Sequence, residues 1–321
     1  MPWPLIALAG PTASGKSELA LRLAGEFSGE IVHCDSVQVY RRFDLGTAKL
    51  PVEARRGIPH HLLDIVDPGV TFTAGEYARR ARQALNEIRA RGRRPIVAGG
   101  TGFYFRALFQ GLAPGPERDE RLRVRLSERE RRRAGLLHRL LRRFDRSAAN
   151  RIHPRDVQKL IRAVEICMLA RRPVSEVHAA GRNPLEGFTI LKLALDPPRE
   201  ALYERINRRT REMFQSGLLD EIRCILAAGY PPEAKPFDSV GYKQALAHLR
   251  GDMTLNEAIA AASQATRNYA KRQWTWFRRE PGLQWLPAFG DDPAVQQEAI
   301  DGVRKFLERA RPTWPATGVR F

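Results

Sequence analysis

Four short apolar runs punctuate this chain. They are Leu5-Ile6-Ala7-Leu8-Ala9, Glu30-Ile31-Val32-His33-Cys34, Pro95-Ile96-Val97-Ala98 and Thr189-Ile190-Leu191-Lys192-Leu193-Ala194-Leu195. Each is too brief for a helix and ends near Gly, Asp or Pro, which predicts buried strands of a parallel sheet. After the first run, Leu19, Leu21, Leu23, Ala24 and Phe27 continue among helix-forming neighbours until Gly29. A different pattern fills the gap between the third and fourth runs. There Leu137, Leu140, Leu141 and Phe144, and then Leu160, Ile161, Val164 and Met168, recur at helical spacing. Long helices follow the last run, with Tyr203, Ile206, Thr210 and Met213 setting one stripe.

The turn after the first predicted strand carries the strongest chemical signal. Gly10-Pro11-Thr12-Ala13-Ser14-Gly15-Lys16-Ser17 fits the phosphate-binding pattern G-x-x-x-x-G-K-[ST] in all its fixed positions. The glycines let backbone N–H groups turn inward around a diphosphate, and the positive end of the next helix faces the same anion. Lys16 adds a mobile point charge, and Ser17 offers a hydroxyl to Mg²⁺. With strand before and helix after, the pattern predicts an α/β, P-loop NTPase-like parallel sheet core flanked by helices. A glycine-rich turn without a ligand is the bland alternative, and it does not account for the flanking elements.

Two further strand ends shape the chemistry. The third run ends in Gly99-Gly100-Thr101-Gly102, with no carboxylate to position Mg²⁺ and an attacking water, so a water-activating ATPase is disfavoured. That turn offers backbone N–H groups and one hydroxyl at the place where open sheets bind ligands; a plain tight turn explains its glycines equally well. The second run ends at Asp35, beside the cradle. A carboxylate there can hold Mg²⁺, cap a helix or act as a general base, and spacing does not separate these roles.

Charge then changes the picture. The 321 residues carry a formal net charge of +18, mostly from arginine. Polyphosphates and nucleic acid are the natural partners of such a surface. Between Glu117 and Arg172 stand 18 Lys/Arg against 8 Asp/Glu, so this segment holds more than half of the excess. A linker-like Gly111-Leu112-Ala113-Pro114-Gly115-Pro116 introduces it. The expected organisation is a catalytic core of residues 1–113 and 190–321 with an all-helical basic lobe, 114–189, inserted. A solvated, salt-bridged hairpin is the simpler reading of that lobe. Tyr269-Ala270-Lys271-Arg272-Gln273-Trp274-Thr275-Trp276-Phe277-Arg278-Arg279 mixes cations with aromatics, as single-stranded nucleic-acid contacts do. Core packing of a Tyr269/Trp276 face explains the aromatics as well. Cys34, Cys167 and Cys224 form no zinc spacing, and His60-His61 stand without a metal-binding cluster. No membrane span or signal-peptide plan is apparent, which fits a reduced cytoplasmic compartment.

Several segments together resemble the tRNA dimethylallyltransferases, also called tRNA isopentenyltransferases. Besides the cradle they are Asp35-Ser36-Val37-Gln38-Val39-Tyr40, Gly46-Thr47-Ala48-Lys49, Pro59-His60-His61-Leu62 and Gly99-Gly100-Thr101-Gly102. Farther on come Asp156-Val157-Gln158-Lys159-Leu160-Ile161-Arg162-Ala163, Val240-Gly241-Tyr242-Lys243-Gln244 and Lys271-Arg272-Gln273. The resemblance runs in order along nearly the whole chain. Its departures are few: Leu50 separates Lys49 from Pro51, Lys159 replaces a more common arginine, and Cys34 stands before the aspartate.

The resemblance implies transfer of a dimethylallyl group from dimethylallyl diphosphate to the exocyclic amine of the adenosine 3′-adjacent to the anticodon in tRNA. Residues 10–17 then hold a diphosphate leaving group, with Ser17 on Mg²⁺. Asp35 is implied as the general base, with Thr101 and Arg209 at the diphosphate and reacting centre. Ser36, Val37, Gln38, Arg123, Gln158, Lys159, Leu160, Ile161, Arg162, Lys243, Lys271, Arg272 and Gln273 are implied to meet the anticodon stem-loop, along with Asp35 and Thr101. The expected form is the shorter bacterial one, a cytoplasmic monomer. A P-loop small-molecule kinase using ATP is the alternative, and an RNA-binding protein without catalysis leaves the cradle and Asp35 unexplained.

Overall fold

The computed structural model describes residues 2–179 and 181–310. Residues 311–321, which the sequence reading includes in the core segment, lie outside the described residues. The described backbone separates into two compact units, one within residues 2–108 and 185–310 and the other within residues 109–179 and 181–184.

The larger unit is built on a six-stranded sheet. In chain order its elements are β1 (Trp3–Ala9), α1 (Lys16–Glu26), β2 (Gly29–His33), β3 (His60–His61), α2 (Ala74–Ala90), β4 (Arg94–Ala98) and α3 (Gly102–Phe109). The sheet runs β3-β2-β4-β1 and continues, beyond β1, with two strands from later in the chain. Every paired strand is parallel. The apolar runs form strands because a parallel sheet covered on both faces needs no polar alternation. Ile31, Ile96, Ile6 and Leu191 stand in register across neighbouring strands, all buried. Truncating any of them to Ala is worth about 2–5 kcal/mol.

The smaller unit contains α4 (Glu120–Arg132), α5 (Leu136–Phe144), α6 (Arg146–Arg151), α7 (Val157–Ala170) and α8 (Val174–Ala179). Leu137, Leu141, Leu160 and Val164 are fully buried, as their spacing predicts. Phe144 and Met168, expected on the same stripes, are instead 40% and 42% exposed. Two buried carboxylates organise the turns. Asp145 caps α6 through Ala148 N at 2.8 Å and also accepts from Ser175 N at 2.7 Å. Glu165 accepts from Asp119 N at 2.9 Å, Arg123 Nη1 at 3.0 Å and Arg162 Nη1 at 2.7 Å.

The larger unit then resumes with β5 (Phe188–Leu195), α9 (Arg199–Gln215), α10 (Leu218–Ala227), α11 (Tyr242–Leu249), α12 (Leu255–Phe277), β6 (Leu283–Leu286) and α13 (Pro293–Ala310). β5 pairs with β1, and β6 lies outside β5. The order β3-β2-β4-β1-β5-β6 therefore reverses direction around β1, and the crevice beyond the strands' carboxyl ends is where such sheets hold ligands. A second apolar cluster joins Phe43, Tyr40, Phe214, Leu218 and Tyr242 beneath that crevice's outer wall. Among the described residues no helix is long and apolar enough to cross a membrane.

Candidate active site

The cradle forms where β1 meets α1. Gly10 and Gly15 have φ of +146° and +86°, and Ala13 is also left-handed at +63°, a strained setting for a residue with a side chain. The amides of the first turn of α1 have no intrahelical acceptor. Thr12 N is not free, because it donates to Gln273 Oε1 at 2.7 Å. Lys16 Nζ donates to Pro11 O at 2.5 Å. Burial pushes the Lys16 ammonium down to about 7; nearby Asp35 opposes the shift and Arg209 adds to it. Lys16, Asp35 and Arg209 thus converge at one point although they come from α1, the end of β2 and α9. Burial also lowers the pKa of the Arg209 guanidinium, and Asp35 again opposes the shift.

Two cavities adjoin here. One, of about 550 Å³, runs from the cradle past Lys16, Ser17, Asp35 and Arg209 to a floor of Ile31, His33, His60 and Ala98. The other, of about 300 Å³, is walled by Ser36, Val37, Ile206, Met213, Phe214, Gly241 and Arg272. Thr12, Ala13, Asp35, Thr47, Arg209 and Tyr269 line both. Asp35 is therefore a carboxylate on the boundary between the space beside the cradle and a second, smaller space. One of its oxygens, Oδ1, accepts from Val37 N at 2.8 Å and Gln38 N at 3.1 Å. This turn-capping fixes the carboxylate, and the other oxygen makes no hydrogen bond among the described residues.

Thr101 lies beside Asp35, where its Oγ1 accepts from Ser36 N at 3.1 Å and donates to Ser36 Oγ at 3.4 Å. The expectation that backbone amides of the Gly99–Gly102 turn face the substrate is corrected in part. Gly99 N donates to Leu8 O at 3.1 Å and Thr101 N to Cys34 O at 3.2 Å, so the sheet uses both. Gly100 is demanded by close approach: a Cβ there would lie 2.1 Å from Gln273 Nε2.

Gln38 is held by groups that the sequence did not reveal. Its Nε2 donates to Thr47 O at 2.9 Å, so its Oε1, 3.0 Å from His33 Nδ1, accepts. His33 Nδ1 is then the donor, and His33 Nε2 accepts from His60 Nδ1 at 2.7 Å. Burial, with the neighbouring His60, pushes His33 down to about 3, and burial pushes His60 down to about 4, so both rings are neutral. His61 belongs to a separate network, 2.7 Å from buried Glu30, which also accepts from Arg91. A histidine pair in sequence is a weak signal, and only the pairing of β3 with β2 brings His60 against His33.

The remaining predicted residues divide clearly. Arg209 faces the crevice, whereas Arg208 and Arg211 are exposed on other faces of α9. Lys243, Lys271 and Arg272 are exposed, and Arg272 lies 5.7 Å from the Tyr269 ring centre. Gln273 is buried, with its amide bridging Thr12 N and Gly100 O. In α12 the buried face is Ala270, Gln273, Trp274 and Phe277, while Tyr269 and Trp276 are half-buried beside it. In the smaller unit Gln158 and Lys159 are exposed, Leu160 and Ile161 are core, and Arg123 and Arg162 are bound to Glu165. Lys159 pairs with Asp156, the cap of α7.

Residues 38–280 match the family described as IPP transferase. A Solibacter usitatus protein named tRNA dimethylallyltransferase is 62% identical over 304 residues, covering 95% of this chain and 99% of that protein. A Geobacter sulfurreducens protein of the same name is 46% identical and covers 88% of this chain and 91% of its own. The structure is similar to that of a eukaryotic dimethylallyltransferase acting on tRNA, with TM-score 0.84 and 29% identity over 98% of this chain and 81% of the other. It is also similar to the tRNA isopentenylpyrophosphate transferase of Bacillus halodurans, with TM-score 0.71 and 35% identity over 95% of this chain and 97% of the other.

Proposed function

This chain belongs to the IPP transferase family, and from that premise we propose that it transfers a dimethylallyl group from dimethylallyl diphosphate to the exocyclic amine of the adenosine 3′-adjacent to the anticodon in tRNA. The observation that carries the reading is the position of Asp35 on the wall shared by two cavities. The larger cavity takes the diphosphate, and the smaller takes the extruded base. Extrusion is required because the amine is not reachable within a stacked anticodon loop.

The reaction forms one C–N bond and breaks one C–O bond. As the allylic carbon loses its diphosphate, positive charge develops on carbon and negative charge on the leaving oxygen. Lys16, Arg209 and the first-turn amides of α1 stabilise the latter in a desolvated setting. The unbonded oxygen of Asp35 takes the amine proton, and the Val37 and Gln38 amides hold that carboxylate in place. Thr101, held by Ser36 beside the Asp35 carboxylate, orients the reacting groups there.

The donor set fits Mg²⁺ shared with the substrate. Ser17 presents an exposed hydroxyl at the first turn of α1, and among the described residues no group of three or more His, Cys, Asp or Glu is arranged to hold a metal ion. Mg²⁺ keeps several waters and typically needs one or two protein ligands besides phosphate oxygens. Bound there, it neutralises leaving-group charge. The exposed cations Lys159, Lys243, Lys271 and Arg272 serve the anticodon stem-loop through its phosphates. The protein acts as a cytoplasmic monomer.

The test is incubation with dimethylallyl diphosphate, Mg²⁺ and unmodified tRNA, followed by mass spectrometry of the nucleosides. Dimethylallyl-adenosine and an equal amount of diphosphate are expected. ATP consumption without transfer would support a kinase instead.

A further inference from the structure

Arg205 stands one helical turn before Arg209 in α9, so both guanidinium groups project toward the same side. It lines the larger cavity together with Lys16 and Ser17. Its immediate partner is Asp291, in the turn between β6 and α13. The pair is bidentate, with Nη1 2.8 Å from Oδ1 and Nη2 3.0 Å from Oδ2. The guanidinium carbon also lies over the Phe289 ring, 3.9 Å from its centre. This turn is fastened to the cradle itself. Gly290 N donates to Ser14 O at 2.9 Å. A Cβ at Gly15 would lie 2.8 Å from Asp291 Oδ1, and one at Gly290 would lie 2.5 Å from Gly15 O.

A carboxylate seated against a phosphate cradle repels the anion the cradle is made to bind, unless it acts on something else. Here it engages one N–H from each terminal nitrogen of Arg205. A guanidinium has five N–H donors in a rigid plane, so three remain, and their directions are set by the same ion pair. We infer that Arg205 is a further diphosphate-binding residue, and that Asp291, with Phe289, is the positioning residue that aims its remaining donors at the leaving group. This deepens the proposed function, on which it rests: the turn after β6 becomes part of the donor site.

The test uses the full-length protein and reads binding apart from chemistry. Inorganic diphosphate is titrated calorimetrically into the wild type, Arg205→Ala, Arg205→Lys, Asp291→Ala and the double variant Arg205→Ala/Asp291→Ala, with and without Mg²⁺. Arg205→Ala is expected to weaken diphosphate binding about tenfold to a hundredfold. Arg205→Lys keeps the charge but loses the fork, and its loss should be nearly as large. Asp291→Ala is expected to weaken binding about three- to tenfold, and the double variant to bind no worse than Arg205→Ala alone. In turnover the Arg205 and Asp291 variants should raise KM for dimethylallyl diphosphate and leave KM for tRNA unchanged, a split that loss of folding does not produce.

Tighter diphosphate binding by Asp291→Ala would overturn the positioning role, because it would make the carboxylate a plain repulsive charge. Weakening by Asp291→Ala only with Mg²⁺, with Arg205→Ala unaffected, would overturn it in favour of a metal ligand. Failure of prenyl transfer in the wild type, with diphosphate binding responding as expected, would count against the transferase reading and leave the Arg205 assignment standing.

Discussion

The two units handle positive charge in opposite ways. In the larger one, Lys16 and Arg209 are desolvated and turned onto one cavity, close enough that Arg209 helps to lower the Lys16 pKa. In the smaller one, cations are more densely set, yet the half-buried ones are neutralised by Glu165, and Arg121, Arg125, Arg129 and Arg139 stand in water. Formal charge density therefore marks a solvated basic surface rather than the desolvated crevice. What makes a cation catalytic is the loss of its water, since low dielectric strengthens its field where charge develops.

Asp35, the counter-charge of the crevice, separates the two units most strongly. Asp35→Ala is expected to lower kcat by about a hundredfold to ten-thousandfold. Affinity for tRNA, measured by filter binding, should change by less than about threefold if the smaller unit and the exposed lysines supply it. A matching loss of tRNA binding would show that the two functions are not separated. Glu165 is the corresponding counter-charge of the helical unit, but its role there is structural. Glu165→Ala leaves Arg123, Arg162 and the Asp119 amide without their shared acceptor, and denaturant unfolding should show a loss of about 3–5 kcal/mol. An unchanged midpoint would mean that water replaces Glu165 without cost.

Subtler effects separate the two kinds of lysine. Lys16 is pushed down to about 7 in the free protein, chiefly by burial, so above that pH it is largely neutral until an anion arrives. Donor binding at pH 8 is then expected to take up protons, and affinity to fall as pH rises through 7, relative to Lys16→Met. Calorimetry in buffers of different ionisation enthalpy measures the uptake, and none at pH 8 would contradict the desolvation. Lys159 should respond to salt rather than pH. It is exposed and paired with Asp156. Lys159→Ala is expected to weaken tRNA binding modestly and reduce the slope of log K against log salt by about 1. An unaltered slope would place Lys159 off the phosphate path.

Legibility followed the range of the interactions. The strands around Ile6, Ile31, Ile96 and Leu191 were readable because a buried parallel strand writes itself as an apolar run. β3 and β6 were not, since two and four residues are too few to show a pattern, and they pair only with the outer edges of β2 and β5. The motif residues show the same division. Gly46 and Tyr242 lie almost two hundred positions apart in sequence, yet Gly46 N donates to the Tyr242 hydroxyl at 3.1 Å, and that hydroxyl donates to Glu221. Lys49, with its side chain only 3% exposed, holds Asp44, Asp64 and Tyr40 O. These residues brace the crevice wall; their spacing alone did not distinguish bracing from contact with RNA.

The order of residues is enough to show that a phosphate cradle follows a buried strand, that a carboxylate ends the next strand, and that a basic helical segment interrupts the core. Those are local facts, set by φ angles, hydrophobic period and charge density over a few residues. Folding in three dimensions sets which arginines of α9 face the crevice, that His33 and His60 orient Gln38, and that Asp291 reaches back to Arg205 beside the cradle. The reason is physical. Desolvation, hydrogen-bond direction and close approach depend on what packs against a residue, and here the partners come from opposite ends of the chain.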